Sequence, residues 1–135
     1  MIFFNKSDII YLELTALWGK KMDQKIEKEK VDAYGMKFFI KKDGKEVARA
    51  FLYVMRNDIK NDIFGYLEDL HVSEELRGQG IGTLLVNTVI NEAKKIGCYK
   101  LDLVCQLENK GAQELYKKMG FENLGLEFKM YFKKH

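Results

Sequence analysis

The feature that most constrains this chain is a glycine-rich segment between a predicted strand and a predicted helix. This glycine segment consists of Arg77, Gly78, Gln79, Gly80, Ile81, Gly82 and Thr83. Glycines allow the backbone to turn tightly and to approach a ligand closely. The first amides of a helix have no intrahelical acceptor, and together with the helix dipole they favour an anion such as phosphate. The segment therefore predicts either a phosphate-binding turn or a turn that holds no ligand.

Apolar periodicity and turn residues divide the rest of the chain into further elements. Asp43 and Gly44 mark a hairpin turn, Gly97 ends a helix, and Asn109 begins one. The predicted order is a strand at 2–4, a helix after Ser7, strands at 36–42, 47–55 and 64–72, a helix at 83–96, a strand at 99–105, a helix from Asn109 to Gly120, and a half-buried strand at 126–132. Because strand–helix–strand order implies a parallel pair, we predict one α/β domain over residues 1–135, with a mixed sheet flanked by helices.

Composition and charge exclude several classes of function. Hydrophobic residues make up 47% of the 135 residues, and the formal net charge is only +3, milder than in dedicated nucleic-acid binders. The longest apolar run, residues 50–55, is far short of the roughly 20 residues that a membrane span needs, and the start does not resemble a signal peptide. Cys98 and Cys105 form no CxxC pair. We therefore expect no nucleic acid, no membrane, no metal and a cytoplasmic location.

Two common phosphate-binding motifs fit the glycine segment poorly. A Walker loop requires a lysine before its final serine or threonine, whereas Gly82 directly precedes Thr83. The dinucleotide fingerprint G-x-G-x-x-G is met by Gly78 and Gly80 but has Thr83 in place of the third glycine. Asp102 lies near the offset of a ribose-binding acid, so a dinucleotide-binding domain stays open as an alternative.

Two stretches of the sequence resemble the signatures of the GNAT N-acetyltransferase superfamily. Arg77-x-x-Gly80-x-Gly82 matches the motif (Gln/Arg)-x-x-Gly-x-(Gly/Ala), and residues 66–72 resemble the strand that precedes it. The second signature is similar to residues 109–122, where the matching positions are Asn109, Ala112, Leu115, Tyr116, Gly120 and Phe121. One departure is Ser73, where many members have proline. The resemblance implies a sheet in which two parallel strands, residues 64–72 and 99–105, splay apart.

The resemblance also implies the co-substrate, acetyl-coenzyme A, bound where those strands separate. In such a site the amides of the glycine segment would hold the pyrophosphate. The strand edge at Leu70, His71 and Val72 would hydrogen-bond the pantetheine arm and the acetyl carbonyl, and Asn109 would contact the pantetheine side. Asn109 has a second expected role, because its side chain can cap the following helix.

Two residues are expected to carry the chemistry. An alkyl ammonium, with a pKa of about 10, attacks only after losing a proton, and Glu68 is the predicted general base. Several members of the family, including spermidine/spermine N-acetyltransferases, have glutamate at the matching position. Tyr116 matches the family's tyrosine, which is expected to protonate the departing thiolate. Without these roles Glu68 is an exposed strand residue and Tyr116 a core aromatic, while alternation along the strand predicts that Asp69 faces the opposite side.

The expected function is transfer of the acetyl group of acetyl-coenzyme A to a primary amine by direct attack, without a covalent acyl-enzyme. The alternative is a non-enzymatic acyl-coenzyme A-binding regulatory module with the same fold. Likeness to polyamine acetyltransferases at residues 67–69 favours a small polyamine as acceptor, and a protein amine, an amino acid and an aminoglycoside stay open. A homodimer is one option for the assembly.

Overall fold

The computed structural model of the chain describes residues 25–57 and 62–134. The strand predicted at residues 2–4 and the helix predicted after Ser7 lie outside these ranges. Contacts divide the chain into two units, Met1–Lys30 and Val31–His135. In the first unit, residues 25–30 are exposed and have no regular secondary structure. In the described part of the chain, all helices and strands belong to the second unit.

A four-stranded sheet forms the centre of the second unit. In spatial order its strands are β1 Ala33–Lys42, β2 Lys45–Arg56, β3 Ile63–Val72 and β4 Leu101–Leu103. The pairs β1–β2 and β2–β3 are antiparallel, and β3–β4 is parallel, so the predicted mixed sheet is confirmed. Asp43 and Gly44 join β1 to β2 with φ values of 51° and 76°, the left-handed conformations that a two-residue hairpin turn requires.

Two helices follow in the chain. They are α1 Ile81–Ile96, which connects β3 to β4, and α2 Lys110–Lys118, while a short 3-10 turn, Glu74–Leu76, follows β3. The first helix begins two residues before the predicted start and ends at Gly97, whose φ is 94°. The hydrophobic core lies between one face of the sheet and the helices, and its buried residues are Ala48, Ala50, Leu52, Val54, Leu67, Leu85, Val86, Val89, Ala93 and Tyr116.

The parallel pair of β3 and β4 is short. Its register joins Gly65 to Leu101 and ends where Leu67 faces Leu103, although β3 continues to Val72. The strand predicted over residues 99–105 therefore has only three residues in the structure. Beyond Leu67 the edge of β3 that faced β4 no longer pairs with it. The splaying of the two parallel strands is confirmed, and the gap beyond Leu67 is called the opening below.

The C-terminal residues 121–134 form no strand, so the antiparallel strand predicted at 126–132 is wrong. Its apolar side chains are between 77% and 91% exposed, namely Leu126, Phe128, Met130 and Phe132. Alternation of apolar and polar residues produces a strand only when a neighbouring strand pairs with its backbone and another layer covers its apolar face. The described residues of the second unit supply neither to this segment.

Candidate active site

The first turn of α1 leaves its amides open. Its N-cap, Gly80, has φ 82° and ψ 5°, and no side chain caps the helix. The first helical hydrogen bond runs from the Leu84 N–H to the Gly80 carbonyl at 2.9 Å. The N–H groups of the three residues between them have no backbone acceptor within the described ranges. Parallel unpaired amides at the positive end of a helix dipole attract an anion, as expected for the glycine segment.

The loop that precedes α1 has room beside it. Gly78 and Gly80 have φ values of 75° and 82°, and a Cβ atom at either would meet nothing within 4 Å. Glycine is therefore required there by the left-handed backbone and not by crowding within the chain. The side chain of Arg77 donates from Nε to the Val72 carbonyl at 2.9 Å, and Gln79 Nε2 donates to the Glu75 carbonyl at 3.3 Å. These bonds attach the glycine segment to the end of β3 and to the 3-10 turn.

The start of α1 lies against the end of β3. A Cβ atom at Gly82 would lie 3.7 Å from Leu115 Cδ2, on α2, and 4.0 Å from Val72 Cγ2. Three predicted site elements therefore meet at one place: the glycine segment, the end of β3 and α2. Within β3, Leu70 and Val72 are half-buried while His71 is exposed. The backbone of these three residues forms the edge of β3 that borders the opening.

A bulge interrupts β3 just beyond the last pair with β4. The register with β2 changes from Arg49 opposite His71 to Phe51 opposite Glu68, so β3 contains one residue more than β2 over this stretch. Asp69 has the left-handed φ of 48°. A bulge of this kind adds an unpaired residue and shifts the alternation of side chains. Glu68 and Asp69 are consequently both exposed, and the prediction that they face opposite sides of the strand is wrong.

The two neighbouring carboxylates have different surroundings. Asp69 accepts two hydrogen bonds from Arg49, from Nε to Oδ2 at 2.8 Å and from Nη2 to Oδ1 at 3.2 Å. These bonds hold the pKa of the Asp69 carboxyl below its ordinary value. Within the described ranges Glu68 interacts electrostatically with Tyr66 and Lys129 but makes no hydrogen bond or ion pair of the kind that holds Asp69. It is the first residue of β3 past the parallel pair, so the less constrained carboxylate lies at the opening.

Tyr116 lies on the inner side of α2, where it is 8% exposed. Its ring packs edge-to-face on Phe121, with centroids 5.8 Å apart. Burial raises the pKa of its hydroxyl, and the nearby thiol of Cys105 raises it further. Cys105 lies two residues after the end of β4. Tyr116 is therefore near the C-terminal end of β4, the strand across the opening from β3. Tyr116 makes no hydrogen bond with Glu68, and its hydroxyl has no protein partner in the described ranges.

Asn109 begins α2 as predicted. Its Oδ1 accepts a hydrogen bond from the Ala112 N–H at 3.1 Å. The Gln113 side chain closes the loop before it, donating to the carbonyls of Gln106 and Leu107 at 3.0 and 2.9 Å. The oxygen of Asn109 is thus engaged in the helix cap, and its amide hydrogens are the groups left for another contact.

Sequence reasoning missed Arg49, which engages Asp69 across β2 and β3. The available signal was the alternation of β2, in which Arg49 takes the face opposite the buried Ala48 and Ala50. Its partner was not predictable, because the pairing depends on the register and the bulge of β3. Within the described ranges no helix is long and apolar enough to cross a membrane, and no three side chains form a metal-binding group.

Comparison with known families decides the assignment. The family model described as the acetyltransferase (GNAT) family matches residues 7–121, most of the chain. This chain belongs to the GNAT acetyltransferase family. The resemblance inferred from the two sequence motifs is confirmed.

Several N-acetyltransferases are similar to this GNAT chain in sequence. Glucosamine 6-phosphate N-acetyltransferase of Arabidopsis thaliana is 28% identical over 122 residues, which cover 84% of this chain and 80% of the relative. Thialysine N-epsilon-acetyltransferase of Bos taurus is 44% identical over 59 residues, 44% of this chain and 35% of the relative. This match spans only about a third of the bovine enzyme.

Solved structures are similar to this GNAT chain in fold. The crystal structure of glucosamine-6-phosphate N-acetyltransferase from Arabidopsis thaliana matches with a TM-score of 0.66 and 27% identity, covering 73% of this chain and 67% of that one. A predicted acetyltransferase from Clostridium acetobutylicum, crystallised with acetyl-CoA, matches with a TM-score of 0.62 and 23% identity, covering 72% of this chain and 64% of that one. At that identity the second match shows the shared fold alone.

Proposed function

We propose that this chain transfers the acetyl group of acetyl-coenzyme A to a primary amine. The observation that carries the proposal is the open first turn of α1 beside the opening between β3 and β4, in a chain of the GNAT family. The family uses acetyl-coenzyme A, and the open amides fit the pyrophosphate of that molecule. The space beside Gly78 and Gly80 fits a phosphate close to the backbone.

The binding roles follow from the elements around the opening. The amides of the glycine segment hold the pyrophosphate. The side chains of Arg77 and Gln79 fix the loop by donating hydrogen bonds to backbone carbonyls. The backbone edge of residues 70–72, on which Arg77 already engages the Val72 carbonyl, binds the pantetheine arm as an added strand would, by main-chain hydrogen bonds. The amide hydrogens of Asn109 make a further contact to the same arm.

Direct attack needs one proton acceptor and one donor. Glu68 takes the proton of the substrate ammonium, directly or through water, and the free amine attacks the acetyl carbonyl. A backbone amide of residues 70–72 stabilises the resulting oxyanion. The tetrahedral intermediate loses a second proton from its nitrogen to water and collapses with cleavage of the C–S bond. The thiolate takes its proton from Tyr116, which recovers it from water.

Two observations support this division of roles. Burial raises the pKa of the thiols of Cys98 and Cys105, so neither is an activated nucleophile for an acyl-enzyme. The raised pKa of Tyr116 keeps its hydroxyl protonated at neutral pH. A phenol is ordinarily a weaker acid than a thiol by roughly 1.5 pKa units. Tyr116 therefore acts as a hydrogen-bond donor while charge builds on sulfur, and complete proton transfer comes late.

The acceptor is a small molecule that carries a primary amine. The relatives named above are N-acetyltransferases for glucosamine 6-phosphate and for thialysine, two small molecules. A small polyamine follows from the likeness at residues 67–69. Within this proposal the single domain, the cytoplasmic location and the homodimer stay predictions from the sequence.

The decisive experiment is an assay of the purified full chain with acetyl-coenzyme A and a panel of amines. The panel contains polyamines, amino acids, amino sugars, aminoglycosides and peptides with a free amine. Amine-dependent release of thiol, with an acetylated product identified by mass spectrometry, is the expected result. Calorimetric binding of acetyl-coenzyme A without any acetylated product would instead support the non-enzymatic binding module. A nicotinamide dinucleotide titration addresses the remaining alternative.

A further inference from the structure

The bulge of β3 has a partner on the neighbouring strand. We infer that Arg49 is a positioning residue for the proposed acetyl transfer: its two hydrogen bonds to Asp69 hold the bulge of β3, and the bulge sets which backbone amides of residues 70–72 face the opening. The inference rests on the proposed function, in which that backbone edge contacts the acetyl and pantetheine groups. Arg49 itself contacts neither group and acts through Asp69.

The backbone at Asp69 is in a conformation that needs support. Its φ of 48° lies in the left-handed region, which side chains with a Cβ atom disfavour. Aspartate tolerates this region better than most residues, yet glycine adopts it without the steric cost. Residues held there persist when the surrounding structure over-determines them. In β3 the constraint that reaches the side chain of Asp69 is the guanidinium of Arg49.

The Arg49–Asp69 pair is well formed and is itself anchored. Two parallel hydrogen bonds between a guanidinium and a carboxylate restrict both groups more than a single contact does. On its other side, Arg49 Nη1 lies 3.5 Å from Glu46 Oε1. Glu46 also pairs with Lys37 of β1. The charges of these four residues therefore form a chain across β1, β2 and β3 on the face opposite the core.

The bulge determines which groups the edge of β3 presents. A one-residue change of register moves side chains to the opposite face of a sheet, and the backbone N–H and C=O groups change edges with them. With the bulge, Leu70 and Val72 are half-buried and His71 is exposed. In an unbulged strand, Asp69 and His71 would turn inward instead. The amides that border the opening would then turn toward β2, so loss of the bulge removes the proposed contacts without touching α1.

The test is a set of variants of the full chain. In Arg49→Ala we expect kcat to fall roughly 10-fold to 100-fold, the scale of a misplaced reactive group. Affinity for coenzyme A is expected to fall less than kcat, because the contacts to the pantetheine arm are lost while the amides of α1 still hold the pyrophosphate. Adding Asp69→Gly to Arg49→Ala is expected to restore most of kcat, since glycine adopts the left-handed φ without help from Arg49. Arg56→Ala, an arginine at the far end of the β2–β3 pair, is the matched control and keeps wild-type kcat.

A second measurement reports on the backbone conformation of the bulge and does not depend on catalysis. Backbone chemical shifts of residues 69 and 70 are expected to move toward extended values in Arg49→Ala and to remain left-handed in Asp69→Gly. Wild-type kcat in Arg49→Ala, or a double variant no faster than Arg49→Ala, would overturn the inference. A wild-type chain that acetylates no amine would contradict the proposed function instead, and the chemical shifts would then decide the role of Arg49 alone.

Discussion

The two helices in the described part of the chain begin in opposite ways. At the start of α1, Gly80 supplies no side chain to the first amides, whereas at the start of α2 the side chain of Asn109 accepts a hydrogen bond from the backbone. Both helices lack acidic residues in the first turn and carry two lysines in the last. The charged residues of the two helices thus complement the helix dipole in the same way. The difference lies in the caps: the first amides of α1 stay available to an anion, whereas a side chain occupies one of those of α2.

Burial explains why one helix tolerates an open start. α1 has 16 residues and buries Leu85, Val86, Val89 and Ala93, whereas α2 has nine and buries only Tyr116. A side-chain cap contributes about 1 kcal/mol to stability. Burial of a leucine or valine side chain contributes about 1.5–3 kcal/mol, so the apolar face of α1 outweighs a missing cap. The short helix depends on its cap, and the long helix can leave its amides for a ligand.

The largest expected effect tests whether the closed helix takes part in chemistry. Tyr116→Phe retains the ring that packs on Phe121 and removes the hydroxyl. We expect kcat to fall roughly 10²–10⁴-fold, the span of general acid catalysis. Affinity for acetyl-coenzyme A stays nearly constant, because the donor acts on charge that develops as the C–S bond breaks. Steady-state kinetics and calorimetry measure the two quantities, and near-normal kcat with chemistry rate-limiting would reduce Tyr116 to a core residue.

The same residue predicts a pH dependence. Burial raises the pKa of Tyr116, so its protonated, donating form persists to higher pH than an ordinary phenol. Any decline of kcat from its ionisation is expected above pH ~10, the usual phenol value. If kcat of the wild type fell through ionisation of Tyr116 well below pH ~10, the buried environment of this residue would be contradicted.

The second effect concerns the carboxylate that lies outside both helices. Glu68→Gln is expected to lower kcat about 100-fold at neutral pH and to leave affinity for acetyl-coenzyme A nearly intact. The loss shrinks as pH rises, because more of the amine arrives deprotonated. A constant ratio of variant to wild-type rates from pH ~7 to ~10, across the ionisation of the amine, would remove Glu68 from the role of base.

The third effect tests the open helix start directly. In Gly80→Val, a β-branched residue is forced to a φ of 82° and its side chain enters the space beside the first amides. We expect affinity for acetyl-coenzyme A to fall more than about tenfold while the chain stays folded. Gly111→Ala, in the first turn of α2 with no atoms within 4 Å of a new Cβ, is the matched control. Equal affinities in the two variants, measured by calorimetry, would place the phosphate site elsewhere.

The smallest effect concerns the closed helix start. Asn109→Ala removes the cap and is expected to lower the free energy of unfolding by about 1 kcal/mol. Asn109→Asp keeps the capping oxygen and preserves stability. Both variants lack the amide donors, so both should weaken coenzyme A binding by the same small factor. Denaturant melts with calorimetry separate the two roles, and full affinity in both variants would leave Asn109 with the cap alone.

The features that were predictable from sequence depend on residues close together in the chain. The hairpin turn at Asp43 and Gly44, the cap by Asn109 and the open start of α1 all involve groups within four positions of one another. Glycine, asparagine and aspartate express these local preferences in most contexts. The two family motifs lie in the same local segments, so the family and the phosphate-site candidate followed from sequence.

Tertiary structure alone decided which groups the sheet presents. The bulge at Asp69, its partner Arg49 and the end of the parallel pair at Leu67 each depend on the register of strands that are distant in sequence. Alternation along a strand predicts which face of the sheet a side chain occupies only while the register is regular. Because of the bulge, alternation predicted the wrong face for Asp69. It also predicted a strand at 126–132 that finds no neighbour in the described residues. A strand needs a partner for its hydrogen bonds, and no local pattern of residues can supply one.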